Sequence, residues 1–351
     1  MPDRVNEESM EVAKTGGELR RAKSWKATIL ALIVALLISI PLTLMISDVW
    51  VPPMEILKIL GSVFNLSQPS QHWYSTIILG LRLPRIFMGL LVGVALSTSG
   101  AVMQGVFKNP MADPYIIGTS SGAALGAAIA MAFLPFSGFR PVLAFLGAMV
   151  AIFVVYRAAM VNGRVPVNNL LLVGVAVSFF LSAMLSFLMY RMGQDVHGIV
   201  FWLMGNLQPS SMSRVHITLV PIFIGVMGVY LFARDLNAML FGEESAHGLG
   251  VNVEKTKIFL LFLTAIITAS AVAFCGTIGF VGLIIPHVTR ILVGPDHRIL
   301  IPSSALMGAI FLIWMDALAR FVGVPVGVLT AFCGAPFFIY LLKRGKYGFG
   351  G

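Results

Sequence analysis

The chain has 351 residues, of which 58% are hydrophobic and 11% charged, with a mean hydropathy of +0.92 and a formal net charge of +9. A water-soluble fold of this length has too little interior for so large an apolar fraction, so the composition selects a polytopic membrane protein; apolar runs of about 20 residues without alternation select helices over barrel strands. The positive charge excludes little by itself: most Lys and Arg residues sit in short loops and at the termini, as orientation signals do, and not in a nucleic-acid-binding patch.

Residues 1–26 are polar and end in Arg20, Arg21, Lys23 and Lys26, directly before the apolar run 27–47. This predicts a retained first span with a cytoplasmic N-terminus, preceded by a tail without fixed structure. Residues 48–75 mix proline, tryptophan and polar residues around an amphipathic piece at 54–64, which suits an external loop on the membrane interface. Further apolar runs begin near Ile86, Tyr115, Val142, Val167, Val215 and Ile258. The stretch 258–293 is too long for one span, and Gly276, Gly279, Gly282 and Pro286 interrupt it, so it divides into a span and a shorter returning helix. Two more runs, near 299–319 and 324–342, complete an all-α polytopic bundle of ten transmembrane helices. With ten, the basic residues Lys343, Arg344 and Lys346 fall inside; with nine they would lie outside together with Arg290 and Arg298. The same parity places 105–114, 162–166, 234–257 and 294–298 on the cytoplasmic side and leaves Arg82, Arg85 and Arg320 outside.

Several stretches carry more than topology. The motif RLPR at 82–85 reads either as arginines snorkelling to lipid head groups or as a cationic external rim for an acidic partner. The run 104–126, QGVFKNPMADPYIIGTSSGAALG, opens in a turn stiffened by Asn109-Pro110 and Asp113-Pro114. Gly118, Gly122 and Gly126 then recur every fourth residue, a spacing that lets another helix approach closely and does not match a phosphate-cradling glycine loop. The charged island 234–257, RDLNAMLFGEESAHGLGVNVEKTK, has an apolar side in Ala238, Met239, Leu240, Ala246 and Leu249 that a freely solvated loop would not need, so it reads as a docked helix pair. His287 and His297 read as hydrogen-bonded structural residues, and Cys275 and Cys333, with no metal-site spacing, as packing residues. Asp316 lies one helical turn before Arg320, which leaves two readings: an intramembrane functional carboxylate, or a local ion pair. There is no Walker motif and no nucleophile with a base, so no catalytic residue and no metal ligand is assigned.

RLPR (82–85), SGAVMQGVFKNPMADPYIIGTSSGAALGA (99–127), LLLVGVAVS (170–178), GFVGLIIPHVTR (279–290), DHRILIPSSALMGAIFLIWMDALAR (296–320) and PVGVLTAFCGAPFFIYLL (325–342) together resemble the FecCD-type permeases of type II ABC importers, which carry vitamin B12, haem or iron-siderophores. The resemblance covers the chain from the second span to the C-terminus. It implies that 27–351 is a permease domain that forms a homodimer in the inner membrane, with both termini cytoplasmic. It also implies two ATP-binding cassette ATPase subunits inside, which hold the ATP and Mg, no cofactor on this chain, and one substrate-binding protein outside. In such importers the loop between the sixth and seventh spans couples to the ATPase; that loop is 234–257 here, with Ala238, Leu240, Glu243, Ala246, Leu249 and Gly250 as the implied contacts. The outward arginines Arg82, Arg85 and Arg320 fall where the family engages its binding protein. Asn109, Pro110 and Met111, with Val167 and Asn168, fall where the family builds its inner gate. Val167-Asn168-Asn169 departs from the hydroxyl-bearing pattern associated with the B12 importer.

The mechanism expected is alternating access, in which ATP closes the partner ATPase dimer and the island moves as a rigid unit. The rival class is an ion-coupled secondary transporter using Asp316 at a broken helix, and a third is a membrane receptor or scaffold without flux.

Overall fold

The structure, a computed structural model, describes residues 2–47, 51–63, 72–134, 138–208 and 210–343. Among these the regular elements are helices. In chain order they are α1 (Pro2–Met45), α2 (Pro53–Val63), α3 (His72–Ser75), a π-helical segment (Thr76–Arg82) that runs into α4 (Leu83–Val106), α5 (Thr119–Phe133), α6 (Phe139–Ala159), α7 (Val167–Met192) and a 3-10 turn (Gly193–Val196). There follow α8 (His197–Leu203), α9 (Met212–Leu231), α10 (Ala233–Leu240), α11 (Glu243–Gly248), α12 (Val253–Cys275), α13 (Val281–Val293), α14 (His297–Val322) and α15 (Val326–Lys343). Seven stretches are long and apolar enough to cross a membrane, and three shorter apolar helices, α5, α13 and Val326–Tyr340, fill the other expected positions of a ten-span bundle.

Departures from expectation have local causes. The tail expected to lack structure continues α1 back to Pro2, because it is rich in Glu, Lys, Arg and Ala, which favour helix. Arg344 and Lys346, used in the orientation argument, lie outside the described residues. The third span starts at Thr119, not Tyr115, since the two Asx-Pro steps hold 107–118 in turns. Gly118 caps that helix in a left-handed conformation (φ 83°) and is not part of its packing face. Gly122 and Gly126 do serve close packing: a β-carbon on either would overlap backbone of α6, at Gly147 and Leu143.

The core is organised on α4, eighteen of whose 24 residues are buried, so it runs through the interior and not along the lipid. It touches α14, α12, α13 and α9, and the nearest approaches put backbone against backbone: Gly93 on Gly308 of α14, Gly100 on Gly282 of α13. A methyl at Gly100 would overlap the Gly282 carbonyl, and neither helix can withdraw without opening the core. Gly100→Ala is therefore expected to cost about 1–3 kcal/mol. Gly248→Ala, in open space, is expected to be near neutral. Thermal unfolding of the two variants in detergent checks this.

The predicted break in 258–293 is present. Cys275 ends α12, Gly276 turns the chain at φ +70°, and α13 starts after Phe280. Polar groups of the stretch between them find partners on neighbouring elements, as backbone at membrane depth requires. Thr277 Oγ1 donates to the Leu203 carbonyl (2.6 Å), Asn206 N to the Cys275 carbonyl (2.7 Å), and Tyr115 Oη to the Ile278 carbonyl (3.1 Å). Cys275 is buried as expected of a packing residue, whereas Cys333 lies on an exposed face of α15.

α1 and α14 run side by side and are joined at three levels. The Arg298 guanidinium sits over the Trp25 ring (5.3 Å), Trp314 Nε1 donates to Ser39 Oγ (3.0 Å), and Arg320 Nη2 donates to the Thr43 carbonyl (2.8 Å).

Candidate functional site

Two ends of the bundle carry its polar chemistry. At one end α10 and α11 form a loop of two short helices against the last turn of α4 and the first turns of α12 and α14. α10 is amphipathic, with Ala233, Leu236 and Met239 turned inward, and Met239 packs with Ala246 of α11 and Val253 of α12. This small apolar centre makes the island a folded unit, as its sequence implied.

Side chains fasten the unit on two sides. Asn237 of α10 donates through Nδ2 to Asp296 Oδ1 (2.7 Å), and its Oδ1 accepts from the backbone N of His297 (2.8 Å) and from Nδ1 of the same residue (2.9 Å), which puts the imidazole proton on Nδ1. Asp296 also caps α14 and holds Arg298; partial burial would raise its carboxyl, but the Arg298 hydrogen bonds and the Asn237 amide bring it down to about 2. On the other side Lys257 of α12, only 2% exposed, reaches Glu243 of α11 at 2.6 Å and Glu254 at 3.4 Å.

Of the residues expected to couple, Glu243, Leu249 and Gly250 are exposed, Ala238 and Leu240 are half-buried, and Ala246 is fully buried beneath the surface. Phe241, missed in the sequence, is 80% exposed, and Leu249 in the same loop is 71% exposed. Its signal was present as the last member of the run Ala238-Met239-Leu240-Phe241, in which Met239 faces in and Phe241 out. Asn237, Lys257 and Asp296 were also missed, because their roles depend on partners remote in sequence.

The expected gate residues lie near this end. Asn109 Oδ1 accepts from the Met111 N (2.9 Å), an Asx turn that fixes Pro110 and Met111, and all three side chains are half-buried. Val167 is half-buried and Asn168 exposed in the first turn of α7. The close approach between the 107–118 loop and α7 is at Gly174, whose missing side chain admits the Ile116 carbonyl. The chain enters α7 from a rigid turn: Val161 and Arg164 pair through two backbone hydrogen bonds (2.9 and 3.0 Å) around Asn162 and Gly163, both at positive φ, the hairpin geometry that Asn-Gly favours.

At the opposite end the three arginines expected to form an external rim turn inward. Arg82 is 4% exposed and donates through Nη1 to the Leu44 carbonyl (2.7 Å). Arg85 Nε reaches both oxygens of Asp316 at 2.9 Å and its Nη2 reaches Oδ1 at 2.9 Å, while Arg320 Nε stands 3.4 Å from Oδ2. Asp316, 1% exposed, thus has Arg85 as its main partner, and the local pair with Arg320 is the weaker contact. The carbonyls of Thr43 and Leu44 at the end of α1, which lack helical partners, draw Arg320 and Arg82 away from the surface.

A family description, the FecCD transport family, matches residues 32–344. The chain belongs to this family. FecCD relatives include the cobalamin import system permease protein BtuC of Halobacterium salinarum, 49% identical over 267 residues, 75% of this chain and 72% of that protein. The hemin transport system permease protein HmuU of Yersinia pestis is 39% identical over 81% of this chain and 87% of its own length. A solved structure described as an inward-facing conformation of a metal-chelate type ABC transporter superposes with a TM-score of 0.80 at 31% identity, covering 90% of this chain and 98% of that one. The FecCD assignment makes the chain a multi-pass transport permease.

Proposed function

We propose that two copies of this chain form the membrane pathway of an ATP-driven importer that moves a metal chelate into the cytoplasm by alternating access. The loop of α10 and α11 faces the cytoplasm with both termini, and a separate ATPase pair, which holds ATP and Mg, docks on it; this chain needs no cofactor of its own. One observation carries the reading beyond family membership: the loop is pinned to α12 and α14 yet leaves Phe241 and Leu249 bare. Exposed aromatic and aliphatic side chains on a rigid base are what a partner's pocket takes up. α7, with three buried residues among 26, offers a face for the second copy. At the opposite end Arg82, Arg85 and Arg320 would meet an acidic binding protein from beneath the surface and not as exposed arginines.

The secondary-transporter reading loses its site. Both oxygens of Asp316 face guanidinium groups, which repel the cation that such a mechanism would need.

Among metal chelates a corrinoid is the first cargo to test, because the cobalamin-named relative is 49% identical and the hemin-named one 39%. Tagged permease purified from its native membranes is expected to bring down a nucleotide-binding subunit, and the binding protein captured with that complex is expected to contain cobalt. Iron in place of cobalt would move the cargo to the siderophore or haem class. Uptake by the permease alone under an ion gradient would overturn the importer reading altogether.

A further inference from the structure

We infer that Lys257 is a positioning residue that ties the ATPase-docking helix α11 to the first turn of α7 through Glu254, so that displacement of the coupling loop reaches the gate along a fixed polar chain. The inference rests on the importer reading above, and it names the residues that would carry its motion.

The links are continuous. Glu243, the first residue of α11, accepts from Lys257 Nζ at 2.6 Å. The same ammonium lies 3.4 Å from Glu254 Oε1, one turn earlier on α12. Glu254 Oε2 in turn accepts the backbone N–H of Val165 at 3.2 Å. Val165 is buried and is followed by Pro166, the N-cap of α7, and by the gate candidates Val167 and Asn168. Each link is of a kind that resists slipping. Lys257 is a fully buried cation, so it cannot leave its carboxylates for water, and a buried charge stripped of its partner is strongly disfavoured. Val165 directly follows the stiff hairpin turn Val161–Arg164, and Pro166 fixes the next backbone angle, which limits how far the 161–166 segment can move independently of the start of α7. All three links use a side chain of α12, Lys257 or Glu254, and that helix is mostly buried. α12 therefore carries the connection, so that a shift of its first turns is shared by the docking helix and the start of the gate helix.

A separate attachment, Asn237 to Asp296 and His297, ties the other half of the loop to α14, which leads away from the gate. The Lys257 chain is thus distinguishable by mutation. The assay uses the assembled complex in vesicles, with Cys333→Ser to remove the exposed thiol and Asn168→Cys as reporter, labelled by a membrane-impermeant maleimide from the cytoplasmic side with and without a non-hydrolysable ATP analogue. In the otherwise wild-type chain nucleotide is expected to change the labelling rate roughly tenfold. Lys257→Met is expected to abolish that change while the ATPase still copurifies, and Lys257→Arg to restore it. Glu254→Leu, which leaves the Lys257–Glu243 pair in place, is expected to abolish it as well, and Glu254→Gln, which keeps an acceptor for the Val165 N–H, to retain most of it. A full nucleotide response in Lys257→Met or in Glu254→Leu overturns the inference. Where Lys257→Met fails to assemble, the Glu254 pair of variants decides. Absence of a nucleotide response in the reporter chain itself would instead sink the importer reading on which the inference stands.

Discussion

Permease carrying Phe241→Asp together with Leu249→Asp is expected to reach the membrane in normal amount and to lose its ATPase. Both side chains point away from the bundle, so the exchange removes no internal contact, and surface changes of this kind leave stability within about half a kcal/mol. At an interface the arithmetic is different. A well-seated anchor is worth about 2 kcal/mol or more, and two anchors replaced by carboxylates weaken association by roughly a thousandfold. Copurification from detergent, scored beside membrane abundance, reads both quantities. Retention of the ATPase at wild-type ratio would show that the docking face lies elsewhere. Ala246→Asp is the informative contrast: Ala246 lies in the apolar centre of the loop, so this change should lower abundance and docking together.

The second large effect is at the opposite end. Asp316→Leu leaves Arg85 and Arg320 without their carboxylate in a water-poor environment, and loss of one partner from such a cluster costs about 3–5 kcal/mol. Arg85→Met combined with Asp316→Leu removes the closest pair together and is expected to recover a large part of that loss, since Arg320 keeps the Thr43 carbonyl. Thermal unfolding of the single and double variants gives the coupling directly. Were Asp316→Leu as stable as the parent, the cluster would have no structural role, and Asp316 would again need a functional account.

Much of the architecture was legible because membrane crossing leaves coarse marks: run lengths gave the helices, and glycine and proline at 276–286 gave the break between α12 and α13. The short helix α8 was not legible, since seven residues, HGIVFWL, followed by a turn at Gly205 match no span and no amphipathic pattern. The island was recognised from its charge and apolar content, but its exposed anchor was not, because only the packing of Met239 against Ala246 and Val253 decides that Phe241 faces out. The arginines show the sharper limit. They lie at the end of the bundle opposite the island, yet the groups they reach include two backbone carbonyls of α1 and a carboxylate 231 residues away from Arg85. A sequence announces a charge but not which distant group will neutralise it, so three interior guanidinium groups read as a surface rim.

The three clasps between α1 and α14 carry a mechanical consequence. They lie at Trp25, Ser39 and Thr43 on one helix and at Arg298, Trp314 and Arg320 on the other. At 1.5 Å per residue they brace a length of about 30 Å, the thickness of the hydrocarbon layer. Two staves clipped top, middle and bottom resist both sliding and scissoring, so α1 and α14 form one braced side of the bundle.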